Sequence, residues 1–112
     1  MDKVKKYQKI IMKLLEERAA ENFTNIPLVE NQIIADTVRH RYLLMRIGWA
    51  DTRFIASCVL YFEIKNRKIW VQQNWTEAEV ARELEDEGVP KSDIVLAFQP
   101  EALRPYTGYA TN

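Results

Sequence analysis

The sequence predicts one α+β domain over residues 1–112. It has an N-terminal helix, a four-stranded antiparallel meander, then a helix and a fifth short strand, with the helices packed on the sheet. Three observations predict it. Apolar residues recur at three- and four-residue steps over residues 2–20. From about Val29 to Asn74 the period changes to two. The links inside that region are only a few residues long, which favours antiparallel neighbours.

In the first segment Val4, Tyr7, Ile10, Ile11, Leu14 and Leu15 form one stripe, and Lys5, Lys6, Lys9 and Lys13 fall largely opposite it. A basic amphipathic helix can lie on a membrane, but covering a sheet is the ordinary use of such a stripe. "ENFTNIP" reads as the connecting loop, with Pro27 discouraging further helix.

The first strand places Val29, Ile33 and Ala35 on one face. The second runs from about Arg39 to Trp49, with Arg41, Leu43, Met45, Ile47 and Trp49 on one side and Tyr42, Leu44 and Arg46 on the other. The third, Arg53 to Lys65, alternates most clearly: Phe54, Ala56, Cys58, Leu60, Phe62 and Ile64 are expected on one face. The fourth covers Lys68 to Gln73. Residues 48–51 and Asn66-Arg67 are the links, and Asn66 tolerates the positive φ that a two-residue hairpin turn needs.

Thr76 with Glu79 fits a capping box opening the second helix. Val80, Ala81 and Leu84 supply its inner face, with Glu77 and Glu79 near its positive end. Gly88 and Pro90 stop it. "IVLAF", residues 94–98, reads as a fifth strand parallel to a sheet member. "QPEALRPYTGYATN" reads as an irregular tail.

Composition narrows function. The chain has 16 basic and 16 acidic residues, a formal net charge of zero, and 29% charged residues, so no global pull toward nucleic acid or anionic lipid is expected. The charge is split: residues 37–70 hold seven basic against two acidic groups, and residues 71–112 hold three against eight. Such bipolarity suits steering toward a charged partner. The single cysteine, Cys58, excludes an internal disulfide. "MDKVKKYQKI" lacks the apolar core of a signal peptide, and no apolar run reaches the roughly 20 residues of a membrane span. The expectation is a soluble cytoplasmic protein without membrane contact.

No catalytic or cofactor motif emerges. The three glycines, Gly48, Gly88 and Gly108, are isolated and build no phosphate-cradling loop. His40 is the sole histidine, which excludes a Cys/His metal site of ordinary composition. Cys58, read on the most apolar face of its strand, is expected to be a buried inert thiol rather than a nucleophile paired with His40. Glu79, Glu83 and Glu87 stand four apart and read as a solvated helix face rather than a shared proton or cation site. The tryptophans and tyrosines suit core or interface better than base stacking. No enzyme, cofactor or metal is predicted.

A longer pattern is specific. "GWADTR", "KIWVQQNWTEAEVARELEDEGVPKSDIVLAF" and "RPYTGYA" resemble the XisI-like family of fdxN-element excision controlling factors, described mainly from cyanobacteria. The resemblance spans nearly the whole chain and is sharpest at Lys68-Ile69-Trp70-Val71-Gln72, Thr76-Glu77, Glu83-Leu84, Gly88-Val89-Pro90-Lys91 and Asp93-Ile94-Val95-Leu96. It implies a non-enzymatic accessory role in site-specific DNA excision, beside a companion XisH-like protein and a separate recombinase that carries the chemistry. This chain departs from the family pattern at Tyr61, where a histidine is common, at Asn66-Arg67, usually Asp-Gly, and at Gln99-Pro100, often His-Pro.

The expected interaction surface, an exposed aromatic or strand-edge region, comprises Arg39, Arg41, Arg46, Trp49, Gln72, Asn74, Trp75, Gln99, Arg104 and Tyr106. The expected partners are an XisH-like protein and a second copy in a homo-oligomer, with nucleic acid met indirectly. The alternatives are a DNA-binding directionality factor that uses the basic central segment, and a partner-binding module of unrelated role. Gln72, Gln73 and Asn74 pose a local question: a recognition cluster, or the seam between a strand and a helix.

Overall fold

The computed structural model describes residues 2–21, 28–76 and 79–112. The loop read around Pro27 and the role given to Glu77 lie outside them. Helix α1 spans Lys3–Ala19. It is followed by strands β1 (Val29–Asp36), β2 (Arg41–Ala50), β3 (Arg53–Lys65) and β4 (Lys68–Asn74), helix α2 (Val80–Asp86) and strand β5 (Ile94–Leu96). The sheet order is β1-β2-β3-β4-β5. The first four strands are antiparallel neighbours and β5 runs parallel to β4.

Asp2 caps α1 by accepting the Val4 N–H at 3.0 Å. The predicted stripe then faces the sheet: Tyr7, Ile10, Ile11, Leu14 and Leu15 are buried, and Val4 packs beside them. They meet Tyr42 and Leu44 of β2, Leu60 and Phe62 of β3, and Ile69 and Val71 of β4. Truncating a residue such as Leu15, fully buried here, would cost about 2–5 kcal/mol. The apolar face of α1 is therefore spent on its own sheet. Among the described residues no helix is long and apolar enough to cross a membrane.

The β1–β2 register puts Asn31, Arg46 and Ser57 in one cross-strand row on the α1 side, where Asn31 Nδ2 donates to the carbonyls of Ala19 and Glu21. The β2–β3 turn is tighter than read. The strands run through Trp49 and Ala50, and Asp51 takes φ 61°. Both hairpin residues Asn66 and Arg67 adopt positive φ, 55° and 60°, the geometry of a two-residue turn that continues the strand twist. Gly48, at φ 143°, lies so close to the Leu28 carbonyl that a Cβ would overlap it.

The main correction concerns β3. Leu60 pairs with Leu44, but Cys58 pairs with Met45, so Val59 is an extra residue, a β-bulge. The bulge reverses the phase of the strand. Leu60, Phe62 and Ile64 enter the helix-covered core as expected. Phe54, Ala56 and Cys58 instead join Trp49, Ile47 and Met45 on the opposite face. The Cys58 thiol is half-buried there rather than part of the core.

Two further readings change after β4. No capping box forms: α2 starts at Val80 with Glu79 as its first flanking residue and no side-chain cap. The Thr76 hydroxyl is instead bonded to Asn74 Oδ1, which also accepts the Thr76 N–H at 2.9 Å. Asn74 thereby takes the Thr76 N–H that the Glu79 carboxylate of a capping box would accept. Strand β5 stops at Leu96, two residues early, and the tail is ordered. It forms a 3-10 helix over Glu101–Tyr106, and Ala110 bridges Val95 in parallel.

Candidate functional site

The segment Gln72–Asn74 is the seam of two irregularities. In β4, Tyr61 pairs with Gln73 while Phe62 pairs with Val71, which leaves Gln72 as the extra residue. Its amide donates to Glu63 Oε2 at 3.1 Å. The Gln73 amide donates to the Cys58 carbonyl, and the Trp75 N–H donates to the Val59 carbonyl at 2.8 Å. The two carbonyls at the β3 bulge are thus satisfied from the end of β4, as buried backbone requires. Asn74 orders the turn onward through Thr76. The amides serve the backbone first.

That construction opens a groove at the end of β4. Gln72, Gln73, Asn74, Trp75 and Phe98 line a cavity of about 380 Å³. A neighbouring hollow of about 290 Å³ shares Asn74 and Phe98 and is floored by Val80, Ala81, Leu96 and Tyr109. Trp75 is 76% exposed and Phe98 48%. Large rings left this open beside polar amides are the composition of a protein-contact anchor rather than of a core. Phe98 was not among the expected surface residues. It is placed there because the chain turns at Leu96, whose carbonyl accepts the Gln99 N–H at 3.1 Å, and so ends the strand two residues before its apolar run does.

Tyr109 hardens one wall. Its hydroxyl donates to Glu85 Oε2 at 2.7 Å, and burial, helped by that bond and the Glu85 charge, pushes its pKa up to about 12. Arg104, read as a surface contributor, is committed to the fold. Its guanidinium donates to the carbonyls of Ala97, Gln99 and Thr111 and lies 5.7 Å from the Trp70 ring centre. Trp70 is buried on the sheet face away from α1, its Nε1 donating to the Lys65 carbonyl. Gln99 enters through that backbone carbonyl, while Tyr106 projects into solvent at 86% exposure.

The remaining expected residues do not gather at the groove. Trp49 sits at the far end of the β2–β3 hairpin against Phe54, ring centres 5.2 Å apart. Arg39 pairs with Asp36 at 3.1 Å, and Arg41 pairs with Glu63 at 3.0 Å. Arg46 points to the α1 side, opposite Arg41. The basic central segment is therefore divided over two faces and partly neutralised. The acidic α2 is neutralised as well: Glu83 binds Arg18, and Glu87 binds Lys13 at 2.6 Å. His40 is bonded to Tyr42, across the sheet from Cys58, so the two form no nucleophile pair. Among the described residues no cluster of three or more His, Cys, Asp or Glu is placed to hold a metal ion.

The family model of the XisI protein matches residues 1–111. The chain belongs to the XisI family. A crystal structure of an XisI-like protein from Anabaena variabilis ATCC 29413 is similar over 96% of this chain and 97% of that one, at 43% identity and a TM-score of 0.89. The fdxN element excision controlling factor XisI from the same organism is 26% identical over 99% of this chain and 100% of its own, with a TM-score of 0.84. No curated protein matches the chain. The XisI family pattern thus covers the helix, the sheet and the ordered tail together, and the groove lies within its span.

Proposed function

We propose that this XisI family member is a non-enzymatic controlling factor that works by holding other proteins. It acts beside an XisH-like partner and a separate recombinase that carries the DNA chemistry, and it meets DNA only through them. The observation that carries this reading is the groove of Trp75 and Phe98, two exposed rings on a floor of amides whose hydrogen bonds already brace the sheet. Rigid aromatic anchors beside fixed polar groups are what a partner's hot spot docks against. Direct DNA binding has less support, because Arg39 and Arg41 are ion-paired and Arg46 lies on the other face.

Light scattering coupled to size exclusion, on this chain mixed with the XisH-like protein of its own genome, tests the proposal. A mixed complex is expected, weakened about 30-fold or more by Trp75→Ala or Phe98→Ala. No mixed species, together with salt-dependent binding of this chain alone to DNA, would overturn it, since phosphate contacts release counterions.

A further inference from the structure

Among the described residues both α-helices pack on one face of the sheet. An antiparallel sheet with a solvated face ordinarily turns polar residues outward. Here the face away from α1 carries Ile34, Leu43, Met45, Ile47, Trp49 and Phe54 in register across β1, β2 and β3. Ile34, Trp49 and Phe54 are each about half exposed. Among the described residues the tail covers only the Trp70–Val95 end of this face. The Val59 bulge creates the situation: without it the apolar half-strand Phe54–Cys58 would fall in phase with Leu60 and Phe62, on the α1 side. A contiguous apolar face of this kind marks a contact surface, whereas single exposed apolar residues do not.

We propose that this face is where a second copy of the chain packs, sheet against sheet, in a two-fold dimer. Three features select a copy over another occupant. The patch holds one charge, Glu30 opposite Ile47 on its β1 margin, already bonded by the Gln32 amide at 2.6 Å. The molecule is neutral overall, so a strongly charged partner finds little to pair with, whereas a copy needs no charge to pair. One end carries Asp36, Arg41 and Glu63 and the hairpin end carries Asp51, so with strands running in opposite senses Arg41 of one copy meets Asp51 of the other. The axis then lies between the rows Gln32–Met45–Cys58 and Glu30–Ile47–Ala56, and the Trp49–Phe54 pair of one copy covers Ile34 and Leu43 of the other.

The area is also sufficient. Three strands at about 4.8 Å spacing and eight residues at about 3.3 Å rise lay out roughly 15 by 27 Å in projection. Pleated side chains roughly double that, to near the ~800 Å² per partner of a standard interface. Two sheets stacked this way keep their strands within about 30° of alignment and interleave side chains across about 10 Å. The proposal uses other residues than the groove, which adjoins the patch on the β4 side of Cys58.

Sedimentation equilibrium of the full chain alone, at concentrations above and below about 1 µM, tests it. A dimer is expected. Ile47→Glu at its centre should weaken it about 30-fold or more. Trp49→Lys, on the hairpin beyond the helix-covered core, should do the same even if the first variant folds poorly, and a cooperative thermal melt verifies the fold of each. Lys9→Glu, exposed on α1 on the other side of the sheet, should leave the dimer unchanged. A monomer at every concentration, or a dimer indifferent to both face variants, would overturn the proposal whatever the XisH-like partner does.

Discussion

The hydroxyl of Tyr7 on α1 donates to Asp93 Oδ2 in the turn before β5, a buried bond between residues 86 apart in the chain. Lys3 completes the site with an ion pair to the same oxygen at 2.9 Å. Burial, reinforced by the bond to Asp93, pushes the Tyr7 pKa well above the ordinary phenol range. At Asp93 burial acts the other way on the charged form, but the hydrogen bonds from Tyr7 and Lys3 and the Lys3 charge outweigh it and hold the carboxyl below its ordinary value. The start of the helix is thereby fastened to the last strand. Tyr7→Phe should cost about 1.5–3 kcal/mol, the range for a bond to a charged group, read as a lower urea midpoint at pH 7.

The same site sets an acid limb. Asp93 has a lower pKa folded than unfolded, so its contribution is full above the unfolded value. It fades as pH falls below about 4 through the folded value and is absent beneath that. Asp93→Asn should therefore lower stability at neutral pH yet flatten its decline below pH ~4. Urea midpoints across that range check it. If the Asp93→Asn variant loses stability as steeply as the parent, the acid response lies in other carboxylates.

Arg104 holds the tail as Tyr7 holds the helix. Its guanidinium joins three carbonyls of the segment and sits over Trp70, while Lys65 Nζ lies 4.0 Å from the same ring centre. Arg104→Ala should loosen the tail without unfolding the sheet, because the core cluster contains neither Trp70 nor Val95. The expected signs are a red-shifted Trp70 fluorescence and faster hydrogen exchange at Ala110, whose N–H donates to the Ile94 carbonyl at 2.8 Å. Unchanged exchange at Ala110 would contradict this role.

Which parts of this were legible follows from how far each signal reaches. The α1 stripe and the strand order rest on repeated periodicity, and both came through. The Val59 bulge did not, because the extra residue is itself apolar and alternation resumes cleanly on either side of it. Its one trace is that Val59 and Leu60 are adjacent buried residues in a strand that otherwise alternates. The capping box failed for a local reason, since Asn74 reaches Thr76 first. Of the groove, Gln72, Asn74 and Trp75 were legible as surface candidates, while Phe98 was not, because only the pairing of β4 with β5 and the turn after Leu96 bring it beside Trp75. Arg104 read as a free surface charge because its carbonyl partners leave no mark in side-chain chemistry.

Cys58 reports on the face that the bulge creates. Its thiol is half-buried beside Met45 and donates to the Leu60 carbonyl at 3.2 Å. Burial pushes its pKa above the ordinary thiol value, so little thiolate is present near neutrality. Alkylation at pH ~8 should run at least about tenfold slower in the folded chain than in urea, from the smaller thiolate fraction and restricted access together. If a second copy covers the row, the rate should fall further as concentration rises, and Ile47→Glu should abolish that dependence while keeping the folded-state protection. A rate equal to that of the unfolded chain would mean that Cys58 is reached freely, and that the outer face opens more readily than its packing implies.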